Sequence, residues 1–261
     1  MRILSYKYVK YLKLIDEKFL FSFLKILLNF FRRLNKRKFK IKKILNYNYY
    51  IIDYLPNKNN ELTKLCEKYG SDKGGNFHKK YILGSGHTYT DYYFDLFIDK
   101  KNIYKNIFEC GIGTNNLNFV SNMGKNGVPG ASLRVWRDFF INADIYGADI
   151  DKDILFKENR ILTYEMNQLD KNSIQAVCNK ITAEFDLVID DGLHEFDANI
   201  CLFENFFYKV KKDGYYIVED VTLKDQKLFY KYFNNSLLNV QFVSLNSPAI
   251  SGSSNLVVIK K

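Results

Sequence analysis

The chain has 261 residues, of which 47% are hydrophobic and 16% aromatic, enough to bury the core of one large domain. Its four cysteines stand far apart and form no CxxC pair. This usage fits neither a disulfide framework nor a clustered zinc site, and we expect a reducing, cytoplasmic setting.

The formal net charge of +10 belongs to the amino-terminal segment. Residues 1–50 hold 14 of the 39 Lys and Arg but only two of the 29 acids, which leaves 25 basic and 27 acidic residues for 51–261. Apolar side chains recur every three or four positions from Leu4 to Leu34, a spacing that predicts one apolar stripe on a basic amphipathic helix. The body of the protein is therefore almost neutral.

Two interpretations of this extension stay open. Residues 1–44 dock either on an anionic membrane surface, at its inner face, or on an enzyme partner; alternatively, the helix packs on the domain or across a homo-oligomer. The longest apolar run, 19–31, is interrupted by Lys25 and is too short to span a bilayer, and no small-residue cleavage site follows it. Nucleic acid is not an expected partner, because no RNA-binding motif accompanies the basic run.

From residue 105 onward, predicted strands alternate with predicted helices. The strand patterns cover 107–113, 145–150, 161–166, 185–191, 215–221, 241–245 and 255–261, and helical patterns include 171–183 and 198–210. This alternation predicts an α/β fold, an open Rossmann-like sheet with helices on both faces over 105–261. We expect a basic amphipathic helical extension over 1–50 and a cap of helices and loops over 51–104 that contributes to the active site.

The first two strands of that sheet end in residues suited to a nucleoside. Glycines in the block from Glu109 to Thr114 let the backbone approach a ligand closely, but the third glycine of a dinucleotide fingerprint is replaced by Asn116, which disfavours a nicotinamide cofactor. Asp149 ends the second strand and can accept hydrogen bonds from ribose hydroxyls. The loop 167–170 can present polar groups to an adenine edge.

Six sequence blocks occur in the same order as in a known family. They are YGSDKG (69–74), GIGTN (111–115), PGASLRVWRDFF (129–140), YGADID (146–151), DDGLH (190–194) and VED (218–220). The chain resembles the class I S-adenosylmethionine-dependent methyltransferases, and more closely the metal-dependent sugar O-methyltransferases of macrolide and surface-polysaccharide (capsule-type) pathways. The resemblance implies S-adenosylmethionine and Mg²⁺ as cofactors and a sugar-containing acceptor.

Acids at two further strand ends complete the predicted site. Asp191, Glu219 and Asp220 can converge on one hard cation through oxygen ligands, and His194 follows closely enough to act as a base; the resemblance implies the same roles. The alternatives are helix caps or surface charges for the acids and a structural role for the histidine. The candidate cofactor-binding residues are Glu109, Gly111, Gly113, Thr114, Asn115, Ser132, Asp149, Ile150, Gln168, Asp170 and Asp190.

The insertion 124–140 also has two interpretations. With its glycines and with Ser132, Arg134 and Trp136 it can help to form a lid. Alternatively, Trp136 anchors the core and Arg134 is a structural ion-pair partner.

The leading hypothesis is a Mg²⁺-dependent O-methyltransferase for a sugar hydroxyl of a nucleotide sugar or surface polysaccharide. A second hypothesis is methylation of a phosphate, phosphoramidate or amine group on a cell-surface precursor. A third is a non-catalytic scaffold, tethered to membrane or RNA, with a degenerate methyltransferase domain. The acceptor and the position methylated stay open, because pocket shape decides them.

Overall fold

The computed structural model describes residues 39–44, 47–53, 60–74, 87–246 and 255–261. The predicted amphipathic stripe from Leu4 to Leu34 lies outside these residues. In the part of the chain that is described, no helix combines the length and the apolar character needed to cross a bilayer.

In the part of the chain that the structure describes, ten strands form one mixed sheet. They are β1 (Phe39–Ile44), β2 (Tyr47–Asp53), β3 (Asn106–Cys110), β4 (Asp144–Asp149), β5 (Lys157–Glu158), β6 (Ile161–Glu165), β7 (Phe185–Asp190), β8 (Val210–Val218), β9 (Asn239–Asn246) and β10 (Asn255–Lys260). Their order across the sheet is β1-β2-β9-β10-β8-β7-β3-β4-β6-β5. Strands β6, β4, β3, β7 and β8 are parallel, whereas β10 is antiparallel to both of its neighbours.

The strand order reverses beside β3. The chain proceeds from β3 to β4 on one side and later returns to β7 on the other. Such a reversal opens a crevice outside the carboxyl ends of the parallel strands, where ligands bind in open α/β sheets. The predicted α/β class and Rossmann-like sheet are confirmed.

Among the described residues, six helices cover the two faces of the sheet. They are α1 (Glu61–Tyr69), α2 (Tyr89–Phe97), α3 (Ala131–Phe139), α4 (Lys171–Lys180), α5 (Phe196–Phe206) and α6 (Leu223–Phe233), with 3₁₀ turns at Ile98–Lys100, Lys152–Ile154 and Phe207–Lys209. Alternate side chains of a strand point to opposite faces. Ile107 of β3 accordingly packs in a core with Tyr93 and Trp136, and Phe108 in a second core with Leu202 and Phe229.

The segment just before the cap differs from the predicted helical extension. Residues 39–44 and 47–53 form an antiparallel hairpin, and β2 pairs in parallel with β9. The sequences FKIKKI and YNYYIID are rich in isoleucine and tyrosine, which favour strands, and β9 offers backbone groups to pair with. Within the predicted extension, residues 39–44 and 47–50 are therefore strand and not helix.

Candidate functional site

A cavity of about 630 Å³ opens at the carboxyl ends of β3, β4 and β7. Its volume lies in the range of small-molecule sites. Of the residues predicted from sequence, those that line it are Gly111, Gly113, Thr114, Ser132, Asp149, Ile150, Gln168, Asp191, His194 and Asp220. Ten of the predicted positions, which are spread over more than 100 residues of sequence, therefore line the same cavity.

The glycine loop after β3 requires glycine at two points. Gly111 and Gly113 have φ values of +82° and +81°, a region that other residues rarely adopt. A Cβ on Gly111 would lie 2.1 Å from the backbone oxygen of Asp191, and one on Gly113 would lie 2.4 Å from Cε of Met123. The loop is thus packed tightly against the segment that follows β7 at Gly111 and against Met123 at Gly113.

Asp149 connects the end of β4 to this loop. Its Oδ2 accepts from the backbone N–H of Ile112 over 2.9 Å, and its Oδ1 accepts from the N–H of Asp151 over 3.0 Å. Burial raises the pKa of Asp149, and the backbone hydrogen bonds oppose that rise. The carboxylate is therefore held in a fixed orientation at the cavity wall.

Four predicted cofactor residues do not line the cavity. Asn115 donates from Nδ2 to the carbonyl of Gly127, and Asp170 caps α4 by accepting from the N–H of Asn172. Glu109 and Asp190 are fully buried beneath the wall. These side chains face protein partners, which residue type and strand-end position alone do not reveal.

Asp190 organises the loop after β7. Its carboxylate accepts from Gln168 Nε2 over 2.6 Å, from Asn199 Nδ2 over 2.9 Å and from the Tyr216 hydroxyl over 3.3 Å. Burial raises its pKa to about 6, although these hydrogen bonds act in the opposite direction. The Oε1 atom of Gln168 accepts from the N–H of Leu193 over 2.9 Å, so this network positions the segment that carries His194.

Three of the side chains that line the cavity converge. Ligand atoms of Asp191, His194 and Asp220 all lie within 4.8 Å of one another, and Nε2 of His194 is 3.9 Å from Oδ2 of Asp220. His194 and Asp220 have φ values of +60° and +53°. Such conformations cost free energy in residues other than glycine and cluster at functional sites.

Glu219, the third predicted metal ligand, lies deeper. It is fully buried, its Oε1 accepts from the Tyr93 hydroxyl over 2.6 Å, and its Oε2 contacts Nζ of Lys73. Burial and the nearby charge of Asp191 raise its pKa well above the ordinary value, although Lys73 opposes the rise. Both oxygens of Glu219 therefore already have partners.

Lys73 was not among the residues predicted to act in the site. It is 2% exposed, and its Nζ lies 2.6 Å from Asp191 Oδ2 and 3.2 Å from Glu109 Oε1. Burial by itself would lower its pKa, but the carboxylates of Asp191, Glu219 and Glu109 hold it well above the ordinary value. The feature of the sequence that could have pointed to a role of Lys73 in the site is its position within the YGSDKG block.

His87 and Tyr89 also reach the site from the cap. The rings stack with centroids 4.7 Å apart, and His87 Nδ1 lies 3.5 Å from Asp220 Oδ1. Neither residue is among those predicted for the site. The contact of His87 with Asp220 is a product of tertiary packing.

Trp136 and Arg134 of the insertion 124–140 have the structural roles that were predicted as the alternative to a lid. Trp136 is fully buried and donates from Nε1 to Glu109 Oε2 over 2.9 Å. Arg134 forms an ion pair with Glu158 at 2.6 Å. Helix α3 is therefore part of the packed core, and only Ser132 and Ala131 of this helix line the cavity.

Curated relatives share part of the chain. Over 160 residues it is 29% identical to 8-demethyl-8-alpha-L-rhamnosyl tetracenomycin-C 2'-O-methyltransferase of Streptomyces olivaceus, covering 61% of this chain and 37% of that protein. Over 138 residues it is 32% identical to demethylmacrocin O-methyltransferase of Streptomyces fradiae, covering 53% and 33%. The chain thus spans about a third of the length of these relatives, and no family model matches it.

A solved structure shares the fold. The MycE methyltransferase of the mycinamycin biosynthetic pathway, in complex with Mg and SAH, superposes with a TM-score of 0.56 and 24% identity, over 77% of this chain and 55% of that one. The chain has the fold of a class I methyltransferase. In this methyltransferase fold the cavity lies where the strand order reverses. The predicted resemblance to the metal-dependent sugar O-methyltransferases is confirmed for macrolide pathways, and its surface-polysaccharide (capsule-type) part stays a prediction.

Proposed function

We propose that the chain is an S-adenosylmethionine-dependent and Mg²⁺-dependent O-methyltransferase that acts on a sugar hydroxyl. The observation that carries this proposal is the convergence of Asp191, His194 and Asp220 on one wall of the cavity that also holds Asp149 and the glycine loop. The names of the relatives and the Mg and SAH of the MycE complex support it.

The cavity residues fit the nucleoside part of the cofactor. Asp149 presents a carboxylate that is 8% exposed, Gly111 and Gly113 lack side chains that would block an approach, and Gln168 and Ile150 line the same space. S-adenosylmethionine, when bound, supplies an electrophilic methyl group. The residues of the chain hold the nucleoside and align the acceptor oxygen, and such positioning supplies a large part of the rate.

The donor set of Asp191, His194 and Asp220 fits Mg²⁺. This ion prefers oxygen ligands and is usually held by one or two carboxylates while it keeps several waters. Asp191 and Asp220 supply two carboxylates, and Glu219, whose Oε2 contacts Nζ of Lys73, is the third proposed ligand. Mg²⁺, when bound, lowers the pKa of the acceptor hydroxyl.

His194 is the proposed base that accepts the proton of the acceptor hydroxyl. It is partly exposed to the cavity, and its buried Nδ1 has no hydrogen-bond partner among the described residues. The imidazole can therefore change its protonation without breaking a hydrogen bond of the fold. General bases of this kind contribute about 10²–10⁴-fold to a rate.

The acceptor is proposed to be a sugar of a nucleotide sugar or of a surface polysaccharide, as in capsule biosynthesis. The name of the tetracenomycin relative includes a rhamnosyl group on its acceptor, which supports a sugar-containing acceptor here. The same proposal places the protein in the cytoplasm, as a homo-oligomer, with residues 1–44 in peripheral contact with the inner face of the membrane.

Titration calorimetry with S-adenosylmethionine and S-adenosylhomocysteine tests the cofactor. We expect binding that weakens at least tenfold in Asp149→Asn and is unchanged in Asp153→Asn, an exposed acid on the same side of the sheet. Transfer of a labelled methyl group to a panel of nucleotide sugars and glycans then tests the reaction. Absence of cofactor binding would favour a scaffold, and transfer that His194→Asn does not slow would favour a phosphate acceptor.

A further inference from the structure

The amide of Gln168 is buried in the cavity wall and is held at both of its polar atoms. The side chain is 6% exposed, its Nε2 donates to Asp190 Oδ1 over 2.6 Å, and its Oε1 accepts from the backbone N–H of Leu193 over 2.9 Å. A Cβ on Gly192 would lie 2.2 Å from the same Oε1. The chain just before His194 therefore lies directly against the Gln168 amide.

The carboxylate of Asp190 determines which way that amide points. A carboxylate only accepts hydrogen bonds, so the nitrogen of Gln168 faces Asp190 and its oxygen faces Leu193. Asn199 of α5 is 3% exposed and donates from Nδ2 to the second oxygen of Asp190 over 2.9 Å. Each oxygen of this fully buried carboxylate thus has an amide donor, which offsets the cost of burying its charge.

The backbone of His194 depends on support of this kind. Its φ of +60° lies in the left-handed region, and residues other than glycine keep such a conformation only where their surroundings hold it. Leu193, whose N–H is bonded to Gln168, is the preceding residue. Because a misplacement of about 1 Å can cost about 10²-fold in rate, a fixed Leu193 backbone matters for a base at position 194.

We propose that Gln168 and Asn199 are positioning residues for His194 that act through the shared carboxylate of Asp190, and that Gln168 contributes to the rate of methyl transfer and not to the affinity for the cofactor. This assignment differs from the sequence prediction, in which Gln168 binds the cofactor. The role of His194 as a base rests on the proposed function; the hydrogen bonds that hold its segment do not.

Gln168→Met tests this role in the full chain, because methionine has a similar length but no amide. We expect the Leu193 amide hydrogen to exchange at least tenfold faster with solvent. In a ¹³C–¹H NMR spectrum the ring signal of His194 should shift while that of His87 stays in place. At saturating S-adenosylmethionine kcat should fall at least tenfold, whereas the Kd for S-adenosylhomocysteine should stay within about threefold.

Gln175→Met is the matched control. Gln175 donates from Nε2 to the carbonyl of Asn205 over 3.1 Å and is not among the described residues that line the cavity, so kcat and the signal of His194 should not change. If Gln168→Met weakened S-adenosylhomocysteine binding at least tenfold and left kcat unchanged, the proposal would be overturned. Gln168 would then hold the cofactor, as the sequence suggests.

An exchange of two side chains tests the part of Asp190. Asp190→Asn alone sets an amide nitrogen against another amide nitrogen, and Asn199→Asp alone sets two carboxylates against each other. In the double variant Asp190→Asn/Asn199→Asp, the new amide at 190 keeps its oxygen toward Gln168 and turns its nitrogen toward the new carboxylate at 199. The Tyr216 hydroxyl, which donates to Asp190 Oδ2 over 3.3 Å, can accept from that nitrogen instead.

Recovery in the double variant is the decisive outcome of this exchange. We expect each single variant to speed the exchange of the Leu193 amide and to lower kcat at least tenfold, and the double variant to return both to within about threefold of the unmodified protein. A double variant that is as impaired as the single variants would overturn the proposal that Asn199 acts through Asp190.

These readouts separate this proposal from the proposed function. If no acceptor is methylated, or if His194→Asn leaves the transfer rate unchanged, the assignment of the base fails, and the exchange of the Leu193 amide and the signal of His194 decide about Gln168. Faster exchange confined to the segment that carries His194 supports the positioning role. Unchanged exchange in Gln168→Met overturns it.

Discussion

Tyr89 and Asp220 exchange two hydrogen bonds of opposite direction. The Tyr89 hydroxyl donates to Asp220 Oδ1 over 2.5 Å and accepts from the backbone N–H of Asp220 over 3.2 Å. Asp220 has a φ of +53°, a conformation that persists only where surrounding contacts hold it. A tyrosine from the cap therefore fixes both the backbone and the carboxylate of a proposed metal ligand at the end of β8.

We expect Tyr89→Phe to weaken Mn²⁺ binding and to lower kcat by about tenfold or more, because a freed Asp220 no longer points at the proposed metal site. The loss of unfolding free energy should be only about 1–3 kcal/mol, the usual cost of the two hydrogen bonds that the hydroxyl makes. Calorimetry gives the Mn²⁺ affinity, methyl-transfer kinetics give kcat, and denaturant unfolding gives the free energy. Tyr104→Phe is the matched control, since the buried Tyr104 hydroxyl has no hydrogen-bond partner among the described residues.

Replacement of the proposed base should separate catalysis from binding. We expect His194→Asn to lower kcat by about 10²–10⁴-fold while the affinity for S-adenosylmethionine stays unchanged. Asparagine is chosen because it tolerates the left-handed backbone at this position, where φ is +60°. A decrease of less than about threefold in single-turnover methyl transfer would argue against general-base catalysis by this histidine.

The glycine loop yields a paired prediction on stability. Gly111→Ala would place a methyl group 2.1 Å from the backbone oxygen of Asp191, so we expect a loss of more than about 3 kcal/mol of unfolding free energy. Gly124 has a similar positive φ of +68°, but nothing lies within 4 Å of the new methyl group. Gly124→Ala should cost only about 1 kcal/mol of backbone strain. Equal losses in urea unfolding would exclude the steric explanation.

The lowered pKa of Asp138 predicts how the stability of the folded protein depends on pH. Burial alone would raise its pKa, but hydrogen bonds from Tyr69, Lys68 and Arg137 lower it to about 2. A lowered pKa stabilises the folded protein above the unfolded value of about 4, and this contribution disappears as the pH falls through about 2. Because the side chain is 26% exposed, we discount the effect to about 1 kcal/mol at pH 7.

Denaturant unfolding of Asp138→Asn at a series of pH values measures this contribution. The difference from the unmodified protein should be constant above about pH 5, should be much smaller near pH 2 and should vanish below that pH. Asp99→Asn, at an exposed position, serves as the control and should show little difference at any pH. A difference for Asp138→Asn that stays constant down to pH 2 would exclude the ionic explanation.

The sequence by itself determined the sheet and the positions at its edge. Runs such as FDLVID predict buried strands because apolar and β-branched residues favour them, and parallel strands necessarily bring their carboxyl ends to one side. This reasoning predicted that four residues lie near one another, Asp149, Asp191, His194 and Asp220, but it gave no distances. It did not predict the hairpin at 39–53, because β2 depends on its parallel partner β9, which lies almost 200 residues away.

Only the tertiary structure decided which acids face the cavity and which face protein. Asp190 and Asp191 are neighbours in sequence, yet one is buried under three hydrogen-bond donors and the other lines the cavity. Lys73 pairs with Glu219 across 146 residues of sequence. The hydrogen-bond partners of a polar side chain depend on atoms that packing brings together, and the residue type alone does not reveal them.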